Sequence, residues 1–256
     1  MRTGLALLLS CLPMAGAAQV SRAQVVQHVE LRGKRVAVHI APGVANPGGP
    51  LLLYVTGDGG FPGAERLFER MAPWGHPMAA IDTMSYVASI NTPGRELTPA
   101  VVAADFQAVI RMAQRVLELP ADRQIVLVGF SRGASLAVAA ATQPVLQPSL
   151  HGLLLLALPP EDVFVAAEIP ALPTNSKRPF RPYDALPQLG SLRVALIQST
   201  RDQILSAGGA ERRFGPEGPV RRFRALEAKD HSFGGSLPAL EKEMRAALEW
   251  IVSDPK

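Results

Sequence analysis

Gly129-Phe130-Ser131-Arg132-Gly133 sets a serine between two glycines at G-x-S-x-G spacing. A serine hydroxyl is a weak nucleophile at neutral pH and needs a base, plus a group that orients the base. The pattern is short enough to arise by chance, so its setting decides its meaning. Residues 125–130 are an apolar run ending at the serine, and an alanine-rich, helix-competent segment follows over 131–142. Strand, sharp turn, helix is the order of a nucleophile elbow, where a strained turn lifts the hydroxyl above a sheet. Glycines on both sides remove side chains that would obstruct the crossing. Ser131 is the candidate nucleophile.

In chains with this elbow the partners follow in the order serine, acid, histidine. Of the five histidines, only His231 follows a suitable acid, in Lys229-Asp230-His231-Ser232-Phe233-Gly234-Gly235. His28, His39 and His76 precede the serine and His151 leads into a buried run, so these four read as structural. The acid belongs just past the apolar run 194–198, where Ser199-Thr200-Arg201-Asp202 offers Asp202. Asp230 adjoins His231, and neighbours in sequence rarely point at each other, so it reads as a surface residue. Asp184 sits in a proline-rich stretch and ranks second to Asp202.

A developing oxyanion needs donors. One is the backbone N–H of Arg132, directly after the serine; the other comes from the turn after an earlier strand. That turn is Thr56-Gly57-Asp58-Gly59-Gly60-Phe61, with Asp58 or Gly59 as donor. The Asp58 carboxylate lies beside these donors, where it braces the glycine turn or meets a substrate. A phosphate loop is the weaker reading, since neither the P-loop lysine nor the G-x-G-x-x-G spacing is present.

These groups need a scaffold. Short apolar runs at 51–56, 78–81, 125–130, 153–158 and 194–198 read as strands buried on both faces, with further strands at 36–40 and 220–225. Thr98 caps a helix with Pro99 at its first position and Val102, Phe106, Val109 or Ile110, Ala113 and Leu117 on one face. Leu240, Met244, Ala247 or Leu248 and Ile251 predict a terminal helix after Ser236. The alternation means an α/β fold with a doubly wound, mainly parallel sheet, and the elbow on it makes the α/β-hydrolase fold the expectation. Residues 159–187 hold seven prolines, which deny helix and ladder alike, and predict a surface excursion that is either a lid or a passive loop.

At 256 residues, 48% hydrophobic and 19% charged, the chain is no disordered protein and suits one domain. A net charge of +4 and no recognition motif speak against nucleic acid as partner. There is no cysteine–histidine cluster for a metal, no motif for an organic cofactor, and a single cysteine, Cys11. Arg2, the apolar stretch 5–12 and the small residues 15–18 read as a signal peptide over 1–18, leaving 19–256 as a single domain in the periplasm. Acylation of Cys11 as a lipoprotein is the weaker alternative. Lys177, Arg178 and Arg181, or Arg221, Arg222 and Arg224, could meet phosphates of anionic phospholipid at a membrane surface.

The motifs Tyr54-Val55-Thr56-Gly57-Asp58-Gly59-Gly60-Phe61, Gly129-Phe130-Ser131-Arg132-Gly133-Ala134 and His231-Ser232-Phe233-Gly234-Gly235 together resemble the VirJ/AcvB family of bacterial periplasmic α/β-hydrolases. The resemblance runs from about residue 50 to the C-terminus. It implies an esterase that removes the aminoacyl group from aminoacylated phosphatidylglycerol, whose ammonium Asp58 would receive. The chain departs from that pattern at Phe61, where the family has Trp, at Arg132, and in the acid loop 200–203. The expectation is a serine esterase working through an acyl-enzyme. The alternatives are a general carboxylesterase, lipase or polyester depolymerase, and a non-catalytic accessory protein of a secretion system.

Overall fold

A computed structural model of the chain describes residues 24–43, 48–89, 97–164 and 179–253, so the expected signal peptide lies outside the described residues. The apolar runs are strands of one eight-stranded sheet in the order β1-β2-β4-β3-β5-β6-β7-β8. β3 (Leu51–Val55), β4 (Met78–Ile81), β5 (Ile125–Phe130), β6 (Leu150–Leu156), β7 (Arg193–Ser199) and β8 (Arg221–Leu226) run parallel. β1 (Val25–Leu31) and β2 (Lys34–Ala41) form an antiparallel hairpin, and β2 joins it to β4. Because β3 lies between β4 and β5, the chain winds outward from it in both directions. The carboxyl ends of β3 and β5 therefore flank the switch point at which an open α/β sheet takes its ligands.

Alternate strand residues serve opposite faces. Leu51, Leu53 and Val55 join the core under α2 (Thr83–Ala88), α3 (Pro99–Val116), α4 (Arg132–Ala141) and α6 (Ala207–Phe214). Leu52 and Tyr54 join the core under α1 (Gly60–Met71) and α7 (Leu237–Val252). Both faces being covered, the central strands are apolar throughout. α3 begins as anticipated: the Thr98 side chain accepts the Val101 amide, and Val102, Phe106, Val109, Ile110 and Ala113 are buried. α7 buries Leu240, Met244, Ala247, Leu248 and Ile251, but the Ser236 hydroxyl donates to the Glu227 carbonyl instead of capping it.

β1 and the proline-rich stretch depart from expectation, and α1, α2 and α6 are helices the sequence reading did not anticipate. β1 is unanticipated, because as the outer strand of a hairpin it leaves Val25 and Val26 exposed and shows no buried run. The stretch 159–187 is not wholly without helix or ladder. Pro182 opens the short helix α5 (Pro182–Ala185), where its missing N–H costs nothing, and Asp162 pairs with Phe180 in an isolated antiparallel bridge. Residues 165–178, and any lid they form, lie outside the described residues.

Candidate active site

At the end of β5 the chain turns through Ser131 with φ 54° and ψ −120° before α4 begins. A left-handed φ costs a non-glycine residue on the order of 1–3 kcal/mol, so the surroundings must hold it. The Ser131 amide donates to the Leu156 carbonyl at 2.9 Å, and the Ala134 and Ser135 amides donate to the Ser131 carbonyl at 2.8 and 3.2 Å. A side chain at Gly129 would strike the Ala134 backbone, and one at Gly133 would strike the carbonyls of Val55 and Thr56. The two glycines thus let α4 start directly against the ends of β5 and β3.

The loop after β8 brings His231 to that serine. Nε2 lies 2.8 Å from Ser131 Oγ, and Nδ1 lies 2.7 Å from Asp202 Oδ2. With Asp202 ionised, Nδ1 carries the proton and donates to it, which leaves Nε2 to accept the serine hydroxyl. Asp230 is half-buried, not a free surface residue: its Oδ1 accepts the Ser232 and Gly234 amides, both at 2.9 Å. It shapes the loop and leaves the imidazole to Asp202. Gln203 Oε1 accepts the His231 amide at 3.2 Å. Asp184 is exposed on α5, and the imidazole is paired with Asp202 instead.

The Asp202 side chain is fully buried. Burial alone would push its carboxyl up. The hydrogen bond from His231 and the amides of Ile204 and Leu205, at 2.8 and 3.2 Å on Oδ1, outweigh burial and hold it below its ordinary value. Of the other histidines, His39 stacks on Phe61, His76 is buried and His28 is exposed.

Gly57 to Gly60 closes as a tight turn, its last amide donating to the Gly57 carbonyl at 3.0 Å. Among the described residues, no acceptor in the fold takes the amides of Asp58, Gly59 or Arg132, the three expected at an oxyanion. The Asp58 carboxylate is not free: Oδ1 lies 3.0 Å from Arg132 Nε, although its side chain is 65% exposed. A second carboxylate, Asp162, lies 3.3 Å from the same nitrogen and is 5% exposed. Burial pushes the Asp162 carboxyl up to about 6, with Arg132 opposing the rise and Asp58 adding to it. Sequence reasoning missed Asp162. The available signal was an acidic pair, Glu161-Asp162, separated by two prolines from a run at the carboxyl edge of the sheet.

The arginines considered for phosphate have partners within the fold. Arg221 donates to the Leu186 carbonyl at 2.7 Å and covers Phe214, Arg222 lies 4.6 Å over Trp250, and Arg224 pairs with Glu217 and Glu243. Lys177 and Arg178 lie outside the described residues, and Arg181 sits 3.9 Å from Glu161. Among the described residues no cluster of His, Cys, Asp or Glu is placed to hold a metal ion. A cleft of about 510 Å³ near His76, Arg123 and His151 opens at the amino ends of the strands, remote from Ser131.

The sheet order, the elbow at the end of β5 and the late histidine loop define an α/β-hydrolase fold, and solved structures agree. Est1E from Butyrivibrio proteoclasticus superposes with TM-score 0.63 at 13% identity, covering 89% of this chain and 99% of that one. An α/β serine hydrolase without a lid from Xanthomonas campestris gives 0.60 at 14% identity, covering 91% and 98%. A membrane phospholipase A, a bacterial virulence factor, gives 0.64 at 14% identity, covering 90% and 87%. No protein-family model matches the chain, and no curated protein matches its sequence.

Proposed function

We propose that the protein is a serine esterase that cleaves carboxylic esters through an acyl-enzyme. The observation carrying this reading is the continuous hydrogen-bonded path Asp202–His231–Ser131, ending on a serine held at positive φ. Ser131 Oγ attacks the ester carbonyl while His231 Nε2 takes its proton, and Asp202 stabilises the imidazolium. The oxyanion rests on the amide of Arg132 and that of Asp58 or Gly59. His231 then returns the proton to the departing alkoxide, leaving an acyl-serine. Water, deprotonated by the same imidazole, releases the acid. A module that only bound a partner would have no use for three aligned groups.

For the substrate we favour an aminoacyl ester, with aminoacyl-phosphatidylglycerol as the lipid form. Two carboxylates, Asp58 and Asp162, surround one guanidinium beside the nucleophile, so the cluster is one negative charge in excess when both are ionised. That field suits an ammonium better than an anionic acyl group. Exposed Met84 and Ile204, which follow the carboxyl ends of β4 and β7, are apolar surfaces for a lipid chain and equally suit a general carboxylesterase or lipase. The chain is read as a signal peptide over 1–18 and one catalytic domain over 19–256, acting in the periplasm.

The test is fluorophosphonate labelling of the purified protein, with the adduct mapped by mass spectrometry, followed by a panel of esters. A label on Ser131 and turnover of at least one ester are expected. An unlabelled serine in folded protein would defeat the reading.

A further inference from the structure

We propose that Asp162 is a positioning residue: from the neck of the proline-rich excursion its carboxylate holds the Arg132 guanidinium, and so the amide that meets the oxyanion. The proposal rests on the esterase reading above.

Arg132 is the first residue of α4, so its backbone N–H and its side chain leave the chain beside Ser131. Its Nε lies 3.0 Å from Asp58 and 3.3 Å from Asp162, without hydrogen-bond alignment to either, so two ion pairs fix it by charge. The two partners differ in stiffness. Asp58 is exposed on a glycine turn. Asp162 is buried and its backbone is locked to Phe180 by bonds of 2.8 and 2.7 Å in both directions. The rings of Phe164 and Phe180 meet at 5.2 Å, and Tyr183 Oη donates to the Leu158 carbonyl at 2.9 Å, closing the neck further. Asp162 is the rigid anchor of the pair.

The charged groups that face the carboxylate are Arg132 from α4 and Asp58 from the glycine turn. Glu161 and Arg181, exposed at the neck, pair loosely with each other. Burying a carboxylate next to another one is unfavourable, and its folded ionisation is displaced upward from 3.8 to about 6. The ionised form therefore lowers the stability of the fold as pH rises through that window. A neutral asparagine would suit packing better.

The experiment uses the full chain, p-nitrophenyl butyrate as ester and a fluorophosphonate label. On the acid limb of the wild-type profile log(kcat/KM) should fall with a slope above one, because protonation of Asp162 around pH 6 adds to the loss of the general base. Asp162→Asn should lower kcat roughly 10- to 100-fold with KM little changed, reduce the acid slope to one, and melt no lower than wild type near neutral pH. Asp162→Glu should recover part of kcat. A wild-type slope of one overturns the proposal even if Asp162→Asn fails to fold, and so does a folded Asp162→Asn with wild-type kcat. Wild type that neither labels nor turns over overturns the esterase reading itself, a result distinct from both.

Discussion

Gln198 Nε2 donates to Asp202 Oδ2 at 2.7 Å, the same oxygen that His231 Nδ1 reaches at 2.7 Å. A second bond from that amide nitrogen, 2.9 Å to the Leu205 carbonyl, ties the acid loop back to β7. The acid is thus held from the strand on one oxygen and from its own loop on the other. Gln198 Oε1, by contrast, is buried without a partner.

From this pair follows a first prediction. Gln198→Leu removes a donor to a charged oxygen, an interaction of about 1.5–3 kcal/mol, and so should lower kcat about 10- to 100-fold. Stability should change little, because the same substitution removes an unsatisfied buried carbonyl. Steady-state kinetics and thermal melts read the two effects separately, and a large fall in Tm with full kcat would contradict the assignment.

Ser131→Ala should abolish fluorophosphonate labelling and cut ester turnover by roughly 10³-fold or more. The fold should survive, since the Ser131 hydroxyl caps no helix and its backbone bonds remain. Ser131→Gly should be equally inactive and no less stable than the alanine variant, because glycine accepts φ 54° without strain. Calorimetry of the two variants checks the strain.

Asp202→Asn should reduce kcat on the order of 10⁴-fold by presenting the wrong tautomer partner to His231. Asp184→Asn should be silent. Asp230→Asn should be mild, since an amide oxygen still accepts the Ser232 and Gly234 amides. Damage from Asp184→Asn exceeding that from Asp202→Asn would move the acid to α5.

The Asp202 carboxyl sits below its ordinary 3.8 in the folded protein. Its ionisation therefore stabilises the fold above that value, and this contribution is lost as pH falls through the depressed folded pKa. Wild type should lose Tm on acidification below about pH 4, and Asp202→Asn should show a flatter profile in that range. Melting curves at several acidic pH values measure it.

Asp58→Asn tests the substrate. The carboxylate is 65% exposed and already paired with Arg132, so screening limits what it can add to an ammonium. We expect a selective loss of about 5-fold in kcat/KM for an aminoacyl ester, close to 1 kcal/mol, with a plain butyrate ester unchanged. Equal losses on both esters would make Asp58 a brace for the turn.

Ser131, His231 and Asp202 were legible from sequence because each is announced by its immediate surroundings. Gly129 and Gly133 frame the serine, an apolar run precedes it, and Asp202 closely follows a fully buried strand. Those signals are short-range, and hydrophobic burial on both sheet faces makes the runs unmistakable. The strand β1 was not legible, since Val25 and Val26 face solvent and its pairing depends only on β2. Helix α1 buries the stripe Phe61, Ala64, Leu67, Phe68 and Met71 directly behind a glycine turn that reads as loop.

By itself, then, the sequence determined the α/β class, the elbow and the chain order of Ser131, Asp202 and His231. Tertiary structure alone decided which carboxylates meet the Arg132 guanidinium, that Gln198 shares an oxygen with His231, and that Arg221, Arg222 and Arg224 are engaged within the fold. Local pattern fixes which residues are buried and where a chain turns. The partner of a charge is set by packing between segments distant in sequence, where a few tenths of a nanometre separate an ion pair from none.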